Sequence, residues 1–264
     1  MSVTVLESLR YGWQILHGSR VAGEKRIAEE RYRDVSPYLN VHRVLKVLDL
    51  GNGSLRPQYI ILAADGHAVV GIDFINRSRN DLFGFACKVA RATYRWKLGL
   101  SVKPGSKQLV CGDVGCLPFP SAAFDLVTSV AAFEHFLYVS DVLQEVHRIL
   151  RPGGLIYARI HLFSCPSGGH NIRVAEVPLV RLPKGVEAWD HLRKRQLPFD
   201  VPLNEWRKDK YLAEFRKHFE ILKEYCAMRE GEHLLTPEIK RELSDYSHDE
   251  LTCGAYVIVA RKPS

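Results

Sequence analysis

The sequence predicts an α/β fold built on a mainly parallel, seven-stranded sheet with helices on both faces. Strand-like and helix-like segments alternate along the chain, and each strand–helix–strand unit takes roughly 20 to 35 residues, as β-α-β units do. The chain has 264 residues, of which 46% are apolar and 25% charged. This length and balance are typical of a globular protein with one sizeable hydrophobic core.

The first half of the chain contains five of the predicted strands. Short apolar runs that end at glycine or aspartate indicate buried strands, and longer segments with apolar residues at helical spacing indicate helices. Pro57 suits the first turn of a helix, and the RPGG stretch at 151–154 should end another. The predicted strands are 46–51, 68–73, 108–113, 124–130 and 154–162, and the predicted helices are 57–65, 80–98 and 139–150.

The regular alternation ends after residue 162. Residues 163–203 are rich in glycine and proline and should form loops. Thr236 and Pro237 then provide a cap and a first helical position for a late helix. The other predicted elements are a helix at 204–217, a strand at 219–228 and a final antiparallel strand at 254–262.

The net charge of +7 raises the question of a nucleic-acid partner. The basic residues form short, separated clusters, and most clusters have acidic residues close by. Such a distribution is typical of a solvated surface, so we do not expect nucleic acid as a partner. An anionic substrate or partner remains an alternative explanation of the charge.

Cysteine spacing and hydropathy exclude several classes of protein. The six cysteines are scattered without a CxxC pair, which predicts neither a metal site nor a disulfide framework. No apolar stretch approaches the roughly 18 residues of a membrane span. The amino terminus lacks the basic start and apolar run of a secretory signal. We therefore expect a cytoplasmic protein without a membrane span.

Polar residues and glycines follow the first three predicted strands. Asp49, Gly51 and Gly53 end the first strand, Asp73 ends the second and Asp113 ends the third. In an open parallel sheet, ligands bind at these carboxyl ends. Glycines let backbone N–H groups approach a ligand closely, and the following helix presents its positive end there. Carboxylates can accept hydrogen bonds from a ribose diol and from an adenine amino group, so the pattern indicates a nucleoside ligand.

Two classes of nucleoside cofactor fit this outline. A nicotinamide site would need a third glycine where Arg56 stands, and it would not require Asp49. The sequence instead resembles the class I S-adenosylmethionine-dependent methyltransferases, in their ubiquinone/menaquinone-type (type 11) small-molecule branch. The resemblance covers about residues 44–162 and rests on LDLGNG, VVGID, GDVGCLPFPSAAFDLVTSV, FEHF and LQEVHRILRPGG, in that order.

This resemblance implies a Rossmann-like, doubly wound sheet that binds S-adenosylmethionine and releases S-adenosylhomocysteine. Asp49 and the two glycines would surround the methionine part, and Asp73 would bind the ribose hydroxyls. The sequence departs from the family pattern at Leu55, where many members have a third glycine, and at Asn52, where cysteine or serine is frequent. The predicted cofactor-binding residues are Asp49, Gly51, Gly53, Asp73, Phe74, Asp113, Val114 and Val130.

A sulfonium methyl group is already activated, so the protein must mainly align an acceptor and exclude water. For an oxygen nucleophile a histidine base helps. The candidates are His135, which follows the fourth strand, His161, which lies near the end of the fifth, and His170, which lies in the glycine-rich loop after it. Glu134 fits a hydrogen-bonding support better than a base.

We therefore predict methyl transfer to a small-molecule acceptor, most naturally at oxygen. An RNA or protein methyltransferase and a noncatalytic S-adenosylmethionine-binding module are the alternatives. The predicted single domain, residues 1–264, divides into an amino-terminal helical cap (1–43), a cofactor-binding half (44–162), a substrate-side insertion with the sixth strand (163–253) and the last strand (254–264). The sequence gives no prediction of the oligomeric state.

Overall fold

The protein is described by a computed structural model, which covers residues 18–75, 82–100, 108–171, 182, 184–199 and 201–264. Seven strands form one sheet: β1 (Lys46–Leu50), β2 (Ala68–Asp73), β3 (Leu109–Cys111), β4 (Phe124–Val130), β5 (Leu150–Ile160), β6 (Glu220–Arg229) and β7 (Cys253–Arg261). The described helices are α1 (Ser19–Val35), α2 (Pro57–Ala64), α3 (Leu82–Lys97), α4 (Val139–Ile149), α5 (Asp190–Arg193), α6 (Lys208–Arg216), α7 (Pro237–Glu242) and α8 (His248–Thr252).

The strands are ordered β3-β2-β1-β4-β5-β7-β6 across the sheet. β1 to β5 run parallel, and β7 runs antiparallel to both of its neighbours, β5 and β6. The predicted fold class is therefore confirmed, including the antiparallel last strand. The order reverses between β1 and β4, and this switch point opens a crevice at the carboxyl ends of the strands.

The core fills both faces of the sheet because successive residues of each strand point to opposite faces. In β1, Leu48 packs in one apolar cluster and Val47 in the other, and both are fully buried. α4 covers the first of these faces, since its buried residues recur every three or four positions. These residues are Val139, Val142, Leu143, Val146 and Ile149.

Several predicted boundaries were wrong. β3 ends at Cys111 rather than at 113, β5 ends at Ile160 rather than at 162, and the short helix α5 lies in the region 163–203 that was predicted to form loops. β5 begins at Leu150 rather than 154, because Leu150 already pairs with Phe124 and the RPGG stretch lies within the strand as an irregularity. The helix predicted from Asn204 begins only at Lys208. Residues 80–81 of the helix predicted at 80–98 and residues 1–17 of the predicted cap lie outside the described residues. In the described residues, no helix combines the length and the apolar character needed to cross a bilayer.

Asn204 has a structural role that explains why it does not start a helix. Its side-chain amide donates to the carbonyl oxygens of Phe133 (2.7 Å) and Phe136 (3.0 Å), and its backbone N–H donates to that of Glu134 (2.9 Å). Its side-chain oxygen accepts from the hydroxyl of Tyr211 (2.8 Å). Asn204 thus fastens the loop before α6 to the short 3₁₀ helix at Phe133–His135.

We expect Asn204→Ala to destabilise the fold by about 2 kcal/mol, because buried carbonyl oxygens would lose their donors. Urea unfolding measures the change. Ser247→Ala in the capping box of α8 serves as a comparison, with an expected cost of about 1 kcal/mol. Equal stability of the parent and the Asn204→Ala variant would contradict the role given to Asn204.

Candidate functional site

The loop after β1 is joined to the end of β2. The backbone N–H of Gly51 donates to the carbonyl oxygen of Ile72 at 2.9 Å, which turns the loop toward β2. Asp73 then accepts from the backbone N–H of Gly53 with one carboxylate oxygen and from that of Ile75 with the other, both at 2.9 Å. Asp73 is therefore the residue at which the predicted methionine-binding loop and the predicted ribose-binding strand meet.

Glycine is favoured at the two positions of this loop for different structural reasons. Gly51 has φ +74°, and a methyl group there would lie 2.5 Å from Cβ of Ala132, so the backbone after β4 packs directly on it. Gly53 has φ +63°, and a Cβ there would meet open space. Leu55, which replaces the family's third glycine, packs in the cluster of Val21 and Tyr94 instead. The loop therefore leaves room beside Gly53 where a ligand can approach the backbone.

Asp49 is buried behind this loop, with 3% of its surface exposed. Burial raises the pKa of its carboxyl to about 7, while the nearby guanidinium of Arg31 opposes the shift. Arg31 comes from α1, is itself buried and donates to the side-chain oxygen of Gln58. The amino-terminal helix therefore contributes a positive charge directly beneath the predicted cofactor loop.

We expect Asp49 to make the protein less stable as the pH rises from about 4 to about 7. Its folded pKa lies above its unfolded value, so the folded state binds more protons in this window and loses stability as the pH rises. Asp49→Asn should flatten this part of the pH profile, measured by urea unfolding at several pH values. Asp209→Asn, at an exposed position, should leave the profile unchanged. Identical profiles of the parent and Asp49→Asn would contradict the expectation.

The remaining predicted cofactor residues line the ends of β2, β3 and β4. Phe74 is 76% exposed, and the Cys111 thiol donates to its carbonyl oxygen, which joins the ends of β2 and β3. Asp113 is exposed, and its carboxylate accepts from the N–H of Gly115 at 2.8 Å. Val114 is buried in the core, and Val130 is half-buried as the last residue of β4. Asp113 and Phe74 thus leave their side chains accessible to a ligand at the crevice.

The three candidate bases lie together, although they come from separate parts of the chain. The ring centroid of His170 lies 4.8 Å from that of His135 and 4.6 Å from that of His161. His135 follows β4 in the 3₁₀ helix, His161 follows β5 directly, and His170 lies in the next loop. The histidine cluster (His135, His161 and His170) therefore occupies the carboxyl ends of β4 and β5, beside the switch point.

Hydrogen bonds fix two of these rings. Nδ1 of His135 lies 2.9 Å from the carbonyl oxygen of Pro202, so Nδ1 carries the proton and Nε2 is left as an acceptor. Nε2 of His161 lies 2.7 Å from the hydroxyl of Ser167, which in turn donates to the carboxylate of Glu230. Among the described residues, Nε2 of His170 has no hydrogen-bond partner although it is buried.

Burial keeps the histidine cluster neutral near pH 7. It lowers the pKa of His135 and lowers that of His161 to about 4. The pKa of His170 falls further, because the neighbouring histidines add to the effect of burial. Glu134 is buried next to the cluster, and burial raises the pKa of its carboxyl to about 8. The cluster therefore offers uncharged imidazole nitrogens that can accept a proton or bind a cation.

A tight loop positions His170. A Cβ on Gly168 would lie 2.3 Å from the carbonyl oxygen of Phe163, and one on Gly169 would lie 2.8 Å from Cβ of His191. His170 itself has φ +48°, in the left-handed region that side chains other than glycine rarely adopt. A shallow pocket adjoins this loop and is lined by residues that include His170, His191 and Phe199.

Sequence reasoning missed four residues that shape the two sites. Arg31, Ser167, Asn204 and Glu230 lie far in sequence from the motifs and belong to no local pattern. Their contacts connect elements that only the tertiary fold brings together, such as the end of β6 and the loop after β5. Only Ser167 could have been proposed from the sequence, because it stands in SCPSGGHN, the same loop as His170.

Comparison with known proteins identifies the family to which this arrangement corresponds. Residues 48–158 match the methyltransferase domain family. Over 130 residues the chain is 38% identical to 24-methylenesterol C-methyltransferase 2 of Oryza sativa, an alignment that covers 49% of this chain and 32% of that protein. It is 31% identical over 157 residues to a sterol 24-C-methyltransferase of Pneumocystis carinii, covering 57% and 38%. The chain spans well under half of the length of these curated relatives.

Solved structures share the fold at low sequence identity. An S-adenosylmethionine-dependent methyltransferase from Methanosarcina mazei is similar with a TM-score of 0.53 and 18% identity, covering 87% of this chain and 96% of that one. One from Listeria monocytogenes gives a TM-score of 0.52 and 15% identity, covering 90% and 100%. Residues 48–158 therefore match a methyltransferase domain, and the sheet order together with these similarities shows that the chain shares the fold of such methyltransferases.

Proposed function

We propose that this protein transfers the methyl group of S-adenosylmethionine to a small-molecule acceptor, at an oxygen atom. The observation that carries the proposal is the convergence of His135, His161 and His170 at the carboxyl ends of β4 and β5, next to the predicted cofactor crevice. A methyltransferase needs an acceptor site beside the cofactor, and an oxygen acceptor needs a proton acceptor within that site.

The residues of the crevice fit S-adenosylmethionine. Gly53 faces open space and carries a positive φ, so the backbone can contact a ligand there. Asp73 stands at the end of β2 with an ionisable carboxylate that retains lone pairs for ribose hydroxyls.

When bound, S-adenosylmethionine supplies an activated methyl group on a sulfonium, and S-adenosylhomocysteine leaves once the acceptor oxygen has bonded to that methyl. The chain's own task is to remove the acceptor's proton. His135 suits this task because its Nδ1 proton is held by Pro202 and its Nε2 can accept. His161 is instead oriented by Ser167 and Glu230, which suits a supporting or relaying role.

Residues 163–253 and the helix before β1 are the proposed acceptor-side parts of the domain, and residues 44–162 are the proposed cofactor half. The 163–171 segment supplies His170 and Ser167 to the cluster, and a shallow pocket next to it is lined partly by 186–199.

Methylation at carbon is the second candidate. The names of the sterol methyltransferases to which the chain is similar specify carbon as the atom methylated in those proteins. A carbon acceptor would also lose a proton after methyl transfer, and the same histidine cluster could take it. The two candidates therefore differ in the product and not in the residues required.

The test is to incubate the protein with trideuteromethyl S-adenosylmethionine and a panel of phenols, quinols and sterols, with structured RNA as a further arm. The proposal predicts a product heavier by one deuterated methyl group that is cleaved as an ether or ester. A carbon-linked methyl would support the second candidate, and labelled RNA alone would overturn both. His135→Gln should reduce turnover by about 100-fold at an oxygen acceptor, while His42→Gln, at an exposed loop position, should retain it.

A further inference from the structure

The 3₁₀ helix after β4 contains a buried carboxyl group with few polar partners. Glu134 is 2% exposed, and its carboxylate oxygens have no side-chain hydrogen-bond partner among the described residues. Burial raises the pKa of this carboxyl group, whereas the backbone N–H groups of Glu134 and His161 and the charge of Arg159 lower it. A carboxyl group buried in this way is accommodated either by protonation or by a bound cation.

Two imidazoles face the same point. Glu134, His135 and His170 each offer one ligand atom, and these atoms all lie within 4.8 Å of one another. In a tetrahedral site with bonds of about 2.1 Å, ligand atoms stand about 3.4 Å apart. The distances between the ligand atoms would have to shorten by on the order of 1 Å for all three to bind one ion. Side-chain rotation can supply a movement of this size.

The hydrogen bonds around Glu134, His135 and His170 resemble those that surround the ligands of known metal sites. Metal-bound histidines usually donate their other ring N–H to a carbonyl or carboxylate, which fixes the tautomer. His135 does so with the carbonyl oxygen of Pro202 at 2.9 Å. His170 presents a buried Nε2 that makes no hydrogen bond within the described residues. Two neutral imidazoles and one carboxylate form a donor set that suits zinc and other first-row divalent ions.

We propose that Glu134, His135 and His170 bind a divalent transition-metal ion, with a coordination position left open toward the acceptor site. The scattered cysteines predict no metal site, and these ligands lie on two separate segments, so spacing along the sequence could not reveal them. If the proposed methyl transfer is correct, on which this further role rests, the open position would hold the acceptor oxygen and lower its pKa. With the ion bound, Nε2 of His135 would be a ligand and not the base, and the acceptor would lose its proton to solvent.

A second group of potential metal ligands lies nearby, and the ion must be assigned to one of the two groups. His161, Cys165 and Glu230 also place their ligand atoms within 4.8 Å of one another. Unlike the atoms of the first group, those of His161 and Glu230 are already engaged through the hydroxyl of Ser167. We therefore assign the ion to the triad of Glu134, His135 and His170.

The test is titration of the chelator-treated 264-residue protein with Zn²⁺ by calorimetry. We expect one ion per chain with a Kd below about 1 μM, and a weakening of at least about 100-fold in Glu134→Gln and in His170→Gln. His42→Gln should bind as the parent does. Thermal unfolding without metal verifies that the variants fold, and substitution by Co²⁺ should give the visible absorption of a four- or five-coordinate site in the parent only.

Three outcomes would overturn the assignment: no binding by the parent, equal binding by the parent and Glu134→Gln, or loss of binding in Cys165→Ser instead. Titration of the metal-free parent with S-adenosylhomocysteine keeps the two proposals distinguishable. Binding of S-adenosylhomocysteine without any binding of Zn²⁺ would remove the metal site and leave the proposed methyltransferase function standing.

Discussion

Asp73→Ala is expected to weaken S-adenosylhomocysteine binding by at least about 30-fold, which corresponds to about 2 kcal/mol. The carboxylate can accept hydrogen bonds from both ribose hydroxyls, and bonds to a charged acceptor are the stronger kind. It also holds the N–H groups of Gly53 and Ile75, so its loss would loosen the loop that forms the crevice. Calorimetric titration of the parent and the variant measures the difference.

Asp73→Asn separates the two contributions. The amide keeps one oxygen acceptor and the shape of the side chain, so the loop should persist while part of the ribose binding is lost. We expect a smaller loss of affinity, about tenfold. Asp209→Ala, at an exposed site on α6, should bind as the parent does. Parent-like affinity in Asp73→Ala would contradict the position given to the ribose.

Gly168→Ala is expected to destabilise the protein by about 3 kcal/mol. The added methyl group would lie 2.3 Å from the carbonyl oxygen of Phe163 and 2.5 Å from that of Leu162, and both belong to backbone that cannot rotate away. The loop must shift, and His170 would leave the histidine cluster with it. Urea unfolding measures the stability, and the turnover of Gly168→Ala should fall together with that of His170→Gln.

Gly23→Ala is the matched control for this substitution. Gly23 lies within α1, and a Cβ there would meet nothing within 4 Å. Alanine has the higher helix propensity, so this variant should be as stable as the parent or more stable by up to about 1 kcal/mol. Equal stabilities of Gly168→Ala and Gly23→Ala would show that the loop after β5 is not packed as described.

The sheet could be predicted from the sequence because its signals are local. The strands at 68–73 and 124–130 were predicted with the observed boundaries, since buried strands are short apolar runs with polar ends. The predicted start of α6 was wrong because asparagine is a common helix cap, whereas the side chain of Asn204 donates to carbonyl groups of another segment. Tertiary hydrogen bonds of this kind leave no periodic pattern.

The candidate site also has a part that local motifs predict and a part that only tertiary contacts determine. Asp49, Gly51, Gly53 and Asp73 belong to contiguous motifs, and the bonds of Asp73 join those motifs at one edge of the sheet. The histidine candidates could be named from their positions after strands, but their mutual contact could not be predicted. It depends on the fold of the SCPSGGHN loop and on Glu230 at the far end of β6. Long-range packing therefore determined the part that sequence reasoning missed.

The central claim is that the crevice at the ends of β1 and β2 binds S-adenosylmethionine. Its most direct test is calorimetric titration of the parent protein with S-adenosylmethionine, S-adenosylhomocysteine and NAD in parallel. The account predicts that the first two bind at one site per chain with micromolar affinity and that NAD does not bind. Binding of NAD without binding of S-adenosylmethionine, or no binding of S-adenosylmethionine at millimolar concentration by folded protein, would contradict it.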